Sequence, residues 1–304
     1  MDAHWMLQGI GKLKTLLMVA VLLPLSVLCL PAHADGTTVI LAPAPVVTGF
    51  RDFTAGRQLS DIRDYRFNSE YTAKHQDPFT NLEVIELVLL VQALQLGGVK
   101  GEIKIKSAPS FSILSKVEKG EALLGGVSIW RERTQSRAKS LWVSDPIIRQ
   151  GEFQLGLYSC GRPMSIIDLS GLQQFRLSSH ANWPMVTELL QSLEVADLSL
   201  SNDWNQIAKQ SCAGASDLIA APFTASADRP LQYLEKLLSP VPGVKLKVSG
   251  TRHFIISRLH PKGKRTYFSL QRGMRKLRVK GNIARAMRQS GFLPQATANW
   301  TFLN

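Results

Sequence analysis

The sequence predicts an α/β protein of two lobes joined by two crossing strands. Three observations carry this. Strand-like apolar runs alternate with helical patterns over residues 38–130, and the alternation returns over 159–238. Two extended apolar stretches, 151–158 and 252–257, lie between the halves. The resulting boundaries place 35–154 plus 252–304 in the first lobe and 155–251 in the second. A hinged pair of lobes offers the cleft between them as its natural site.

The elements follow in chain order. Lys12 and Lys14 precede an apolar run over 16–30, broken by Pro24 and Ser26 and followed by Pro31-Ala32-His33-Ala34. This is the pattern of a Sec-type signal peptide cleaved after Ala34, and it predicts a periplasmic mature chain. The run falls short of the ~20 apolar residues of a spanning helix. Cys29 follows Leu28, where a lipid-attachment site needs a small residue, so it is expected to leave with the signal.

Thr38–Ala42 reads as a buried first strand. Residues 43–81 read as a mixed loop, with Pro43, Pro45, Gly49, Gly56 and Pro78 among many polar residues. Asn81 is the expected N-cap of a strongly apolar helix over 82–96, ended by Gly97-Gly98. Residues 101–106 alternate as a strand, 111–119 form a helix stopped by Gly120, and 123–130 form an apolar strand. In the second half, strands are expected near 175–177, 198 and 217–221, with helices over 184–193, 204–210 and 230–238.

The formal charge of +13 is not evenly spread. Glu235 is the last acidic residue; residues 236–304 hold 15 Lys/Arg and no Asp/Glu, whereas 35–235 hold 19 basic and 22 acidic residues. In the tail, Leu270, Met274, Leu277, Ile283, Met287 and Phe292 interleave with the cations at helical spacing, with Gly281 breaking the pattern and Gly291 capping it. The reading is short amphipathic helices with a solvated basic face. A sharper reading makes that face a docking surface for an anionic membrane, lipopolysaccharide or an acidic partner. Nucleic acid is excluded as a partner, since an exported protein seldom meets it and no recognition motif is present.

Two cysteines remain in the mature chain, Cys160 and Cys212. An oxidising compartment allows them to pair or to stay as separate buried thiols, and the sequence leaves both open. Neither has a CxxC or Cys/His neighbour, so no metal site and no cofactor is expected.

Several segments resemble the amino-acid-type solute-binding proteins of ABC importers, a family of type II periplasmic binding proteins. Thr134-Gln-Ser-Arg137 followed by Val143-Ser144-Asp145-Pro146 is similar to that family's T-x-x-R and F-S-x-P, Gly214-Ala-Ser-Asp217 to its G-x-x-D, and the stretch from His253 to Ile283 to its return strand and final helices. The resemblance implies a periplasmic binding protein-like type II fold. It also implies a ligand site in which Arg137 holds a carboxylate through a bidentate fork, Thr134 adds a hydrogen bond and Ser128 offers a hydroxyl or backbone contact. Trp130 and Arg133, near Arg137 in sequence, are further candidates for the cleft wall. Pro222 stands where the family places the aspartate that binds an α-amino group, and proline can neither carry charge nor donate. Phe50 or Phe53 would supply the stacking aromatic that follows the first strand.

The expected function is capture of a small carboxylate-bearing solute, an amino acid or similar, by a monomer that presents it to an inner-membrane ABC permease. The alternative is a sensor or accessory module docking on a membrane partner without transport. An enzyme is not expected: His180, His253 and His260 are isolated, no GxSxG or HExxH occurs, and no carboxylate pair stands out.

Overall fold

The computed structural model describes residues 36–75, 77–161, 163–181, 183–224, 231–233 and 236–304. The expected signal peptide, 1–34, lies outside the described residues. Strand β1 (Thr38–Ala42) falls where the apolar run predicts it. Residues 43–81 are not a loop: they hold helix α1 (Ala44–Thr54), a 3-10 turn at Leu59–Asp61, helix α2 (Ser69–Lys74) and the start of α3 (Pro78–Leu96). Prolines misled the reading, because Pro45 sits in the first turn of α1, where its missing N–H costs nothing. Val46, Gly49 and Phe53 then share one buried face. A Cβ at Gly49 would lie 2.7 Å from Val84 Cγ2 and 2.9 Å from Tyr71 Oη, so only glycine admits this approach. Asn68 caps α2 by accepting from Tyr71 N at 2.8 Å. Asn81, the expected cap of α3, lies inside that helix.

The chain continues through β2 (Ile103–Ser107), α4 (Ser110–Glu118), β3 (Leu124–Gly125), β4 (Ile129–Trp130), a 3-10 segment Arg131–Arg137 and β5 (Leu141–Val143). Next come β6 (Phe153–Cys160), α5 (Leu169–Leu172), β7 (Arg176–His180), α6 (Pro184–Ser192), β8 (Asp197–Ser201), α7 (Trp204–Cys212) and β9 (Leu218–Pro222). Strands β10 (Leu231–Tyr233), β11 (Lys236–Pro240), β12 (Val244–Val248), β13 (Arg252–His253) and β14 (Ile255–Ser257) follow. Helices α8 (Gly263–Val279) and α9 (Asn282–Gln289), a 3-10 turn at Gln295–Thr297 and β15 (Thr301–Phe302) close the chain.

The helix expected over 230–238 is instead the antiparallel pair β10–β11. Strand β11 continues the sheet along β6, and its residues alternate: Leu237 is exposed and Leu238 is buried against Tyr158 and Trp204. A period of two fits that edge, and a helix would leave it unpaired.

One sheet has the order β2-β1-β3-β14-β5, with β1 parallel to β2 and β3, and β14 antiparallel to β3 and β5. The other runs β10-β11-β6-β9-β7-β8, with β12 also on β6 and β15 parallel to β12. The C-terminal strand therefore hydrogen-bonds to the second sheet although α8 and α9 precede it. The crossing at residue 252 is pinned to the first lobe by β13–β4, where Arg252 pairs with Trp130 and His253 with Ile129.

Helix α3 is buried on nearly every side from Leu82 to Leu94. It crosses α8 so closely that a Cβ at Gly273 would lie 1.7 Å from the Ala93 carbonyl oxygen. Its C-terminal carbonyls are capped from α8: Arg272 donates to Gly97 O at 2.8 Å and Lys276 to Leu96 O at 2.9 Å. Cations at a helix C-terminus complement its partial negative charge. Part of the basic tail is thus structural. Cys160 at the end of β6 and Cys212 at the end of α7 are disulfide-bonded, with Cα atoms 5.1 Å apart. Closing this loop is worth about 4 kcal/mol on the chain-entropy view. Among the described residues no helix is long and apolar enough to cross a membrane.

Candidate functional site

Where the first lobe meets the two crossings, four stretches of chain converge on one guanidinium. Arg252, on β13, is 3% exposed. Its Nε donates to Ser128 Oγ at 2.8 Å, and its Nη2 to Ser128 O at 2.8 Å and Glu86 Oε2 at 3.4 Å. Glu86, on α3, is fully buried and also accepts from Ser128 N at 3.1 Å and Ser128 Oγ at 2.7 Å. Serine is therefore the bridge, donating to the acid while accepting from the base. No acceptor for Arg252 Nη1 occurs among the described residues.

Aromatic rings enclose this pair. The Arg252 guanidinium carbon lies 5.6 Å from the Trp130 ring centre, 5.8 Å from Phe153 and 5.7 Å from Trp183. Phe153 itself packs on Trp130, Trp183 and Phe292 with centroids 5.0 to 5.1 Å apart. Trp130 comes from the first lobe, Phe153 from the start of β6 and Trp183 from the segment that opens α6 in the second lobe. The cluster therefore spans the junction, and the rings exclude water from an ion pair that gains from their electron-rich faces.

Glu83, one turn before Glu86 on α3, is half-buried. Burial first, helped by the carboxylates of Glu86 and Asp77 and opposed by Arg252, pushes its carboxyl up to about 7. Asp77, just before α3, is near enough to His180, at the end of β7, to act on its charge, although burial still lowers the imidazole below its usual range. His253 is locked in place: Nδ1 pairs with Ser144 O at 2.7 Å and Nε2 with Thr251 Oγ1 at 2.7 Å, and burial lowers its pKa.

Of the residues singled out in the sequence, the fold brings Ser128 and Trp130 into this cluster. The other three lie on the 3-10 segment. Arg137 Nε donates to Glu118 Oε2 at 3.2 Å and its Nη1 to Arg133 O at 2.6 Å, so it ties the segment to the end of α4. Thr134 is buried, with its hydroxyl donating to Arg131 O at 2.7 Å. Arg133 is exposed. Phe53 is buried with Phe67 and Tyr71, and Phe50 packs half-buried against the core. Sequence reasoning missed Glu83, Glu86, Trp183 and Arg252. A signal existed for the acids: two carboxylates spaced i, i+3 in an otherwise apolar helix need a buried partner. Among the described residues, no group of three or more His, Cys, Asp or Glu side chains could hold a metal ion.

No family model matches the sequence, and no curated protein is similar to it. Solved structures are similar in shape. An amino acid ABC transporter substrate-binding protein from Streptococcus pneumoniae Canada MDR_19A, bound to L-arginine, is 15% identical, with 84% of this chain and 94% of that one covered at a TM-score of 0.53. A probable amino-acid ABC transporter extracellular-binding protein from Bacillus subtilis is 11% identical over 84% and 98%, also at 0.53. The periplasmic VFT2 domain of Bordetella pertussis BvgS is 14% identical over 85% and 94%, at 0.51. At these identities the likeness establishes fold: the chain has the two-lobed α/β architecture of type II amino-acid substrate-binding proteins.

Proposed function

We propose that this chain is a periplasmic solute-binding module that takes a small carboxylate-bearing solute, an amino acid or a close relative, between its lobes, and that it acts by binding and not by catalysis. The observation that carries this reading is the buried Arg252, held at the lobe junction between Trp130, Phe153 and Trp183 with Nη1 left over for an incoming carboxylate. A fixed guanidinium in a dry, ring-walled setting is the chemistry that recognises a planar anion. Glu83, whose carboxyl feels the Arg252 charge, is the acid we assign to the ammonium end of an amino acid, a role Pro222 cannot fill from the second lobe. On this reading Ser128 and Trp130 support the site from the first lobe. Arg137, Thr134 and Arg133 join the ligand only if the 3-10 segment turns Arg137 away from Glu118. Closure on the solute would then be read by an ABC permease or a membrane sensor.

A second reading has its own observation. Arg252 is already enclosed by Glu86, Ser128 and three rings, as a ligand cation would be, and this favours a sensor or accessory module that holds its lobes together without solute. Titration calorimetry and tryptophan fluorescence against amino acids and small organic acids separate the two. Saturable binding of a carboxylate, weakened at least tenfold in Trp183→Ala, is expected for the first. No binding to folded, ligand-free protein would sink it in favour of the second.

A further inference from the structure

Away from the lobe junction, β12, the first crossing and the two C-terminal helices enclose a groove of about 580 Å³. Four cations line it: Arg149, Lys245, Arg278 and Arg288. Lys245 decides its character. It is 3% exposed, its Nζ donates to Thr297 O at 2.7 Å and more weakly to Ala298 O at 3.4 Å, and it lies 4.6 Å from the Phe302 ring centre. Among the described residues none of the four cations has a carboxylate within ion-pair distance. An ammonium has three protons, and two carbonyls engage two of them, leaving one for an acceptor in the groove.

A buried ammonium without a counter-charge is costly unless something supplies one. Glu152, the single acid lining the groove, is engaged by the Arg149 backbone N–H at 2.7 Å. Desolvation lowers the pKa of Lys245, and burial together with the neighbouring Arg149 lowers that of Arg278. The Lys245 shift reports burial alone, whereas at Arg278 the Arg149 charge adds to burial and Glu152 and Asp145 oppose it. Beside the cations, Ile283, Met287, Leu293 and Phe302 form an apolar wall. The volume falls within the roughly 300–1,000 Å³ of small-molecule sites.

We propose that this groove is a second binding site, separate from the lobe junction, for a small phosphate-type anion that carries an apolar arm. Lys245 and the arginine forks take the oxygens, and the wall from α9 to β15 takes the arm. Inorganic phosphate tests the head alone and hexyl phosphate the head with its arm; the two are titrated by calorimetry into the purified chain, its Lys245→Met variant and its Arg288→Gln variant.

Hexyl phosphate is expected to bind once per chain and at least tenfold tighter than inorganic phosphate, with hexanol silent. Lys245→Met should weaken both anions at least tenfold, and Arg288→Gln, an exposed change that leaves the fold intact, severalfold. Saturable binding of neither anion overturns the site, as does equal affinity in wild type and both variants. Equal affinity for the two anions overturns the apolar arm. Phosphatidylglycerol vesicles that bind the chain but are not displaced by hexyl phosphate would place anion recognition on the open basic face of α8 and overturn the groove.

Discussion

Two buried cations in this molecule have opposite solutions to the same problem. Arg252 has its counter-charge built in, since Glu86 and Ser128 meet it and three rings cover the pair. Lys245 has two carbonyls and one ring, and no carboxylate among the described residues. The first arrangement carries its own anion, keeps only Nη1 over, and joins parts of the chain that are far apart in sequence. The second leaves charge over that no carboxylate among the described residues meets. Burial of a cation therefore does not by itself say how much of its charge is left for a ligand; whether its anion is built in does.

The sharpest way to break this contrast is truncation of the complete pair. Arg252→Ala leaves the buried Glu86 carboxylate without its counter-charge, held by Ser128 alone, and about 3–5 kcal/mol of stability should be lost in denaturant unfolding. The double change Arg252→Met with Glu86→Leu should recover most of it, because two apolar side chains leave no orphaned charge. Lys245→Met should move stability by no more than about 1 kcal/mol in either direction, since it removes a cation with no carboxylate among the described residues. An equal, large loss at both positions would mean that Lys245 is as integral as Arg252.

Acid titration sharpens the comparison from a third side chain. Glu83 has a folded pKa of about 7, above the ordinary value of 4.5, because burial and the carboxylates of Glu86 and Asp77 outweigh Arg252. Between those two values the folded chain binds the proton more tightly than the unfolded chain, so stability falls as pH rises through that window and is lower above it. The fall reaches ~3 kcal/mol at most. Glu83→Gln should flatten the melting temperature between pH 5 and 8 and raise it at pH 8. A slope unchanged by the substitution would show that Glu83 is already ionised at pH 5.

How far these sites could be read in advance depends on how local they are. Strand β1, helix α9 after Gly281 and the last two turns of α8 follow from spacing alone, because each buries residues three or four apart, or two apart, within one short stretch. The β10–β11 hairpin was read as a helix because its partner, the far end of β6, lies some 80 residues away. The Arg252 cluster is harder still, since Glu86, Ser128, Trp183 and Arg252 share no local pattern. The disulfide was equally open in sequence and is settled by β6 and α7 ending side by side. The apolar character of α3, legible at once, hid the two acids that matter most in it.

The smallest expected effect tests where the solute's carboxylate goes. Arg137 and Glu118 form a pair in which each side chain is about one-third exposed, 3.2 Å apart. Water screens such a pair, so Arg137→Ala should cost under about 1 kcal/mol. Its effect on solute affinity is the informative quantity. If Arg252 is the carboxylate partner, affinity should change less than about threefold, because Arg137 is spent on Glu118 and the Arg133 carbonyl. Abolished binding with an unchanged melting temperature would instead show that the 3-10 segment releases Arg137 on closure and that Glu118 is its resting partner. Glu118→Gln then becomes the complementary change: by loosening the resting pair it should tighten the solute if Arg137 swings, and leave affinity where it was if Arg252 does the holding.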